Sequence, residues 1–123
     1  MAADTRQTLG KVGERLAENY LIAQGYKILI RNYRTKIGEL DLIAEDSGDL
    51  VFVEVKTRTS ELFGAPHEAI TRAKQQKIAR TALEYMTRNG INERAARFDV
   101  VGVMLQKNGT PRIEVLKNAF EMC

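Results

Sequence analysis

The sequence holds a single cysteine, Cys123, and a single histidine, His67, in 123 residues. One terminal cysteine excludes an internal disulfide framework and a cysteine-cluster zinc site, and it suits a reducing compartment. One histidine argues against a zinc site built on imidazoles. No apolar run approaches the ~20 residues that span a bilayer, and the opening MAADTRQTLGK lacks the apolar stretch of a signal peptide. A cytoplasmic protein with no membrane partner is therefore expected. There are only two prolines, Pro66 and Pro111, and no repeat, linker or low-complexity tract. Neither sign of charge dominates, since 19 basic residues against 16 acidic ones leave +3. That balance permits a nucleic-acid partner without demanding one. Aromatic residues are few at 7%, which together with so small a charge argues against tight sequence-specific binding.

What is present describes one globular domain spanning residues 1–123. With 44% hydrophobic and 28% charged residues, the chain is neither disordered nor fibrous. Thr5 to Gln24 places Leu9, Val12, Leu16, Tyr20 and Ala23 on one helical face, with Gly25 as a stop. Tyr26–Tyr33, Ile37–Glu45 and Leu50–Arg58 read as strands, the last two joined by the turn Asp46-Ser47-Gly48-Asp49. Thr59 to Ile70 is an irregular loop. Thr71 is a natural N-cap for a helix to Arg88, halted by Asn89-Gly90. Arg97–Leu105 and Arg112–Lys117 form a closing strand pair around Asn108-Gly109. The order is α-β-β-β-α-β-β, an α/β domain with a mixed sheet.

The stretch IGELDLIAEDSGDLVFVEVKTR carries the chemistry. A turn centred on Ser47-Gly48 makes antiparallel partners sum to 95, so Asp41 faces Glu54, Glu39 faces Lys56 and Ile43 faces Phe52. Alternation puts these six on one face and Leu40, Leu42, Val53 and Val55 on the other, where they supply the core. Opposed residues lie ~5 Å apart at Cβ, and opposed like charges destabilise a sheet. Asp41 against Glu54 is therefore a cost that fold stability does not explain, and a divalent cation would remove it. Mg²⁺ is commonly held by one or two carboxylates plus waters and substrate oxygens. Lys56, on the same face, is placed to orient a water or to stabilise developing negative charge. The competing reading is an amphipathic hairpin with one wet face, in which Glu39–Lys56 is a surface ion pair worth under ~1 kcal/mol. The partial cover from Ile43 and Phe52, and the unexplained acid pair, favour a site.

An Asp followed by twelve residues and then Glu-x-Lys resembles the PD-(D/E)XK, or restriction-endonuclease-like, nuclease superfamily. The segments GERLAENYLIAQGY, RNYR, IGELDLIA, VFVEVKTR, FGAPHEAI, KQQKI and RFDVVGV together resemble the small bacterial YraN family over nearly the whole chain. The first half is also similar to archaeal Holliday-junction resolvases. The resemblance implies a restriction-endonuclease-like mixed sheet and Mg²⁺-dependent cleavage of DNA, with Mn²⁺ as a substitute and branched or flapped DNA as candidate substrates. It implies Asp41 and Glu54 as metal ligands and Lys56 as the catalytic lysine. Leu40 stands where many superfamily members have proline.

Glu14 matches the acidic residue that the resolvases carry on their first helix, where it joins the metal site; by helical periodicity alone it is a boundary residue beside Leu21. Gln75 begins the expected sheet-facing stripe Gln75, Ala79, Ala82, Leu83 and Met86. The superfamily often places a Gln or Lys of this helix near the metal, which makes Gln75 a further catalytic candidate. Arg34, Lys36, Arg58, Arg72, Lys74 and Lys77 are candidate phosphate contacts around the hairpin and second helix. Tyr33 is read as a packed strand residue before a base-stacking one, Asp99 as structural at least as readily as functional, and loop His67 as solvated. A homodimer is expected only from the resemblance to junction resolvases. The alternative to a nuclease is a nucleic-acid-binding or adaptor module that keeps the fold without cutting.

Overall fold

Local chemistry sets the ends of the elements. In the computed structural model, which describes residues 5–59, 70–106 and 109–121, the first helix α1 (Thr5–Ala23) closes on Gly25 at φ +99°. The Gly25 amide donates to Ile22 and the Tyr26 amide to Leu21, the paired bonds of a Schellman cap, which needs a residue at positive φ. Strands β1 (Lys27–Arg34), β2 (Glu39–Asp46) and β3 (Asp49–Arg58) follow. Ser47 and Gly48 both have positive φ, giving the two-residue turn whose twist matches a hairpin. Asp46 pairs with Asp49 and Leu42 with Val53, so partners sum to 95 as the turn dictates. Thr71 caps α2 (Arg72–Arg88), its hydroxyl accepting from the Lys74 amide at 3.1 Å. Strands β4 (Ala96–Met104) and β5 (Arg112–Phe120) complete the chain. The turn expected at Asn108-Gly109 falls partly on residues outside those described.

The five strands form one sheet in the order β1-β2-β3-β4-β5. The β3–β4 pair is parallel and the other three are antiparallel, with α2 as the crossover that a parallel pair requires. The expected order α-β-β-β-α-β-β and the mixed α/β class are those observed. Among the described residues, no helix is long and apolar enough to cross a membrane.

Both faces of the sheet are covered, where the sequence suggested one core face and one wetter face. On one side α2 packs Ile78, Ala82 and Tyr85 over Leu40, Ile43, Leu50, Phe52, Phe98 and Val100. On the other, α1 packs Ala17 and Leu21 over Leu42, Ala44, Val51, Val53 and Val101. Leu40 thus joins the α2 side instead of the side of Leu42. Paired β2–β3 register ends at Leu42–Val53, so strict alternation does not carry past it.

The helices also face the sheet differently from the apolar stripes read in the sequence. In α1 the buried line is Gly13, Ala17 and Leu21, while Val12 is 43% exposed and Ala23 is exposed. The two small residues let the helix lie close. A Cβ on Gly13 would sit 1.7 Å from the Thr57 hydroxyl oxygen, a position only glycine can occupy without moving the helix. In α2, Leu83 is 57% exposed, and Thr81 takes a buried place instead, its hydroxyl donating to the Lys77 carbonyl at 2.8 Å.

At the hairpin's turn, Arg97 gathers three acids. Its guanidinium donates to Asp46 at 2.6 Å, Asp49 at 3.0 Å and Asp99 at 3.0 Å. Asp99 is fully buried and also accepts from the Tyr26 hydroxyl at 2.7 Å and the Asn118 amide at 3.0 Å. Lys117 reaches Asp46 at 3.2 Å. The Arg97 and Lys117 contacts hold the Asp46 carboxyl below its usual range, the Arg97 hydrogen bond contributing most. Asp99 is therefore structural, tying α1's exit to β4 and β5. Removing one partner of a buried charge network strands the others, so Asp99→Ala is expected to lower the unfolding free energy by about 3–5 kcal/mol. Urea denaturation measures this, and a loss under about 1 kcal/mol, the size of an exposed pair, would contradict the assignment.

Candidate active site

Where the β2–β3 pairing ends, a side chain takes over from the ladder. Asp41 turns its Oδ2 to the Val55 amide at 2.7 Å, satisfying a strand donor with a carboxylate. This brings Asp41 beside Glu54, and both are nearly enclosed, at 9% and 6% exposure. The two carboxyls share a hydrogen bond, and the Asp41 carboxyl is pushed up to about 8. Burial is the largest cause, followed by the charge of Glu54; the Val55 amide pulls the other way. The acid pair expected from the register is thus assembled, at the cost that opposed carboxylates imply.

Two ammonium groups answer it. Lys74, from the first turn of α2, places Nζ 2.8 Å from Glu54 Oε2, and Lys56 places its own 3.7 Å from the same oxygen. The Lys56 ammonium is pushed down, first by burial and then by neighbouring Lys74. For Lys74 burial is the largest single influence and acts downward too, but the hydrogen bonds to Glu54 and Lys56 and the charges of Glu54 and Asp41 together outweigh it, and the net shift is upward. The Glu39–Lys56 ion pair of the competing reading is not among the ion pairs of the described residues. With the strands parted beyond Leu42–Val53, Lys56 turns to Glu54 on its own strand and Glu39 pairs with Arg34 at 3.2 Å.

Glu14 lies closer to this site than periodicity suggested. It is three residues before Ala17 and seven before Leu21, hence on the side of the helix that the buried line defines. Half-buried, its carboxyl is pushed up by burial, then by the charges of Glu39 and Glu54, and its own charge raises Asp41. It is an electrostatic neighbour of the pair and does not complete a cage. Among the described residues, no three His, Cys, Asp or Glu side chains are grouped closely enough to hold a metal ion. Asp41 and Glu54 nonetheless fit a hard divalent cation by their chemistry: two enclosed carboxylates side by side are the oxygen donors such an ion takes.

The α2 residue at the site is Lys74, not Gln75. The Gln75 side-chain Nε2 donates instead to the Ile70 carbonyl at 3.1 Å, tying down the helix entry. The signal for Lys74 was in the sequence, four residues before Ile78, which heads the buried line of α2. Of the other basic candidates, Lys36, Arg72 and Lys77 are exposed, Arg58 is half-buried, and Arg34 is exposed and held by Glu39. Tyr33 packs edge-on against Tyr85 with ring centres 5.3 Å apart, the packed reading. His67, with residues 60–69 of the loop, and Cys123 lie outside the described residues.

The profile of Uncharacterised protein family UPF0102 matches residues 13–103, a span that holds Glu14, Asp41, Glu54, Lys56 and Lys74. A UPF0102 protein of Trichlorobacter lovleyi is 46% identical over 117 residues, covering 94% of this chain and 92% of its own. One from Symbiobacterium thermophilum is 48% identical over 112 residues, covering 91% and 95%. Among solved structures, that of Pyrococcus furiosus SfsA in complex with Ca²⁺ aligns with a TM-score of 0.41 and 15% identity, over 91% of this chain and 62% of that one. A match at that level carries no argument, whereas the family profile and the relatives span the fold from α1 to β4. The chain belongs to family UPF0102, the YraN-like family that its sequence segments resemble.

Proposed function

We propose that this protein is a metal-dependent nuclease that hydrolyses DNA phosphodiester bonds, with branched or flapped DNA as its candidate substrates. The observation that carries the reading is the enclosed Asp41–Glu54 pair with Lys56 beside it. A fold gains nothing by keeping two acids together out of water unless their shared charge has a use. Asp41 and Glu54 would hold Mg²⁺, or Mn²⁺ in its place, with Glu14 as a further carboxylate whose charge reaches Asp41. The ion would supply positive charge against the phosphate oxygens and a bound nucleophile at neutral pH. Lys56 then orients the attacking water, and its lowered proton affinity suits it to exchange a proton there. Lys36, Arg72 and Lys77, which are exposed, would meet backbone phosphates, as would Arg34 on leaving Glu39. A homodimer would let two strands be cut symmetrically.

One observation favours a second reading. Lys74 and Lys56 together neutralise Glu54 without any ion, which a non-cleaving nucleic-acid-binding or adaptor module would retain. Cleavage separates the two. Linear, single-stranded, flapped and four-way-junction DNA are incubated with Mg²⁺, Mn²⁺ or EDTA. Metal-dependent cutting is expected, with Asp41→Asn, Glu54→Gln and Lys56→Ala each slower by about 10²-fold or more. Equal rates for Lys56→Ala and wild type under matched metal would overturn the assignment, and DNA binding without any cutting would select the adaptor.

The acid pair also sets a pH dependence. Asp41 rises from its ordinary 3.8 to about 8 on folding, so between those values the native state holds a proton that the unfolded chain releases. In EDTA, the stability contributed by this group is therefore present below about pH 4 and lost as pH rises through about 8. Thermal melts should show that decline in wild type and a flatter profile in Asp41→Asn. Added Mg²⁺ at the alkaline end should raise the wild-type melting temperature and leave the variant's nearly unchanged. Superimposable profiles would remove the basis for the pair.

A further inference from the structure

Lys74, Lys77 and Arg80 follow one another at three-residue steps from the Glu54 contact along one flank of α2. Lys77 lays its stem against the chain joining β1 to β2, where a Cβ on Gly38 would meet it at 3.1 Å. Beyond it opens a groove of about 580 Å³ lined by Ile37, Arg80, Leu83, Glu84, Thr87 and Arg88. Its apolar surface comes from two separate elements, Leu83 at 57% exposure and Ile37 at 37%. Sequence periodicity assigned Leu83 to the core, yet it stands in solvent. Leu83 and Ile37 together give the groove an apolar floor.

The rim selects the occupant. Arg80 and Arg88 are exposed, and the one acid, Glu84, is already paired with Arg88 at 3.3 Å. Exposed Lys36 adjoins Ile37 in the chain, and Lys77 stands a turn before Arg80. A second copy docking here would bring arginines against arginines, which costs affinity. The surface calls for an anion. Duplex DNA would offer its phosphates but keep its bases stacked inside, leaving Leu83 and Ile37 without a partner. An unpaired nucleotide supplies both parts, a phosphate for Arg80 and the lysines beside it, and the flat face of a base for the aliphatic floor.

We propose that this groove binds an unpaired nucleotide of a single-stranded segment. The inference rests on the nuclease reading for its consequence: the substrate is a duplex carrying a single-stranded arm, with the arm led along α2 away from the acid pair. Leu83 lies nine positions beyond Lys74, about 13 Å along the helix axis, so the groove reads the arm at a distance from the cut.

The test is fluorescence anisotropy on the full chain in EDTA, so that binding is read without cleavage. The probes are oligothymidylate, a blunt duplex, the same duplex with an oligothymidylate arm, and polyglutamate. The variants are Leu83→Ser with Ile37→Ser, and the milder Leu83→Ala. These side chains are solvent-exposed, and a thermal melt checks the fold. Wild type should bind the armed duplex more tightly than the blunt one. The double variant should lose about fivefold or more on the armed duplex and the oligothymidylate, Leu83→Ala should lose less, and the blunt duplex should be unaffected. Equal affinity of wild type for armed and blunt duplex overturns the proposal, as does a double variant that binds every probe like wild type. Polyglutamate binding with the same dependence on Leu83 and Ile37 assigns the groove to an acidic protein and overturns it too. So does light scattering in which the double variant splits a dimer while oligonucleotide binding is unchanged. Arm-dependent binding without cleavage would keep this inference and end the nuclease reading, whereas cleavage with arm-independent binding would do the reverse.

Discussion

The bond from the Val55 amide to the Asp41 carboxylate is the constraint around which the site is organised. A strand donor that an ordinary ladder would give to a backbone carbonyl goes instead to a side chain, just where the β2–β3 pairing ends. That exchange anchors Asp41 next to Glu54 inside the sheet. It also frees Glu39 to pair with Arg34 and lets Lys56 turn back to its own strand. The rest of the fold holds this opening in place. Below it the hairpin is fixed by the Ser47-Gly48 turn and by Arg97's grip on Asp46 and Asp49. Helices on both faces then press the two strands into a single position.

The charge balance at the opening is close. Two carboxylates in a dry environment repel each other, and one responds by holding its proton more tightly. Lys74 and Lys56 offset the remaining charge through a single oxygen of Glu54. Any cation that enters must compete with Lys74 for that oxygen. This makes the first turn of α2 part of the site, although its sequence reads as an ordinary capped helix start. The Thr71 cap and the Gln75 bond to Ile70 therefore matter beyond helix stability, because they set where Lys74 begins.

Much of the fold was legible in the sequence because short-range rules governed it. Gly25, Ser47-Gly48 and Thr71 each announce a terminus or a turn through local backbone chemistry, and the hairpin turn alone dictated which residue faces which. The acid pair was expected from that register, and it forms one step past Leu42–Val53, where the pairing ends and the Asp41 carboxylate takes the Val55 amide. Four features were not legible, for related reasons. The sheet-facing line of α1 runs through Gly13 and Ala17, which carry little hydrophobic weight, so a count of large apolar residues centred the stripe wrongly and left Glu14 at its border. Leu83 looked like core because apolar residues usually are, and only packing decides which side of a helix is covered. Leu40 changed sides where the ladder ends, a break that strict alternation does not anticipate. The Arg97 network joins residues more than seventy positions apart in Tyr26 and Asp99, and no local pattern encodes such a meeting.

The contact between Gly13 and Thr57 has a geometric consequence. Because nothing but hydrogen fits between them, the backbone of α1 rests directly against Thr57 of the sheet, and Glu14 is the next residue along. The missing side chain therefore works as a depth stop. It sets how far a carboxylate carried by a helix on one face of the sheet can reach toward two acids held between strands. A larger residue at Gly13 would leave every acid of the site in the sequence and change only the spacing among them, so in this protein the stand-off of a helix belongs to the site as much as any charged group does.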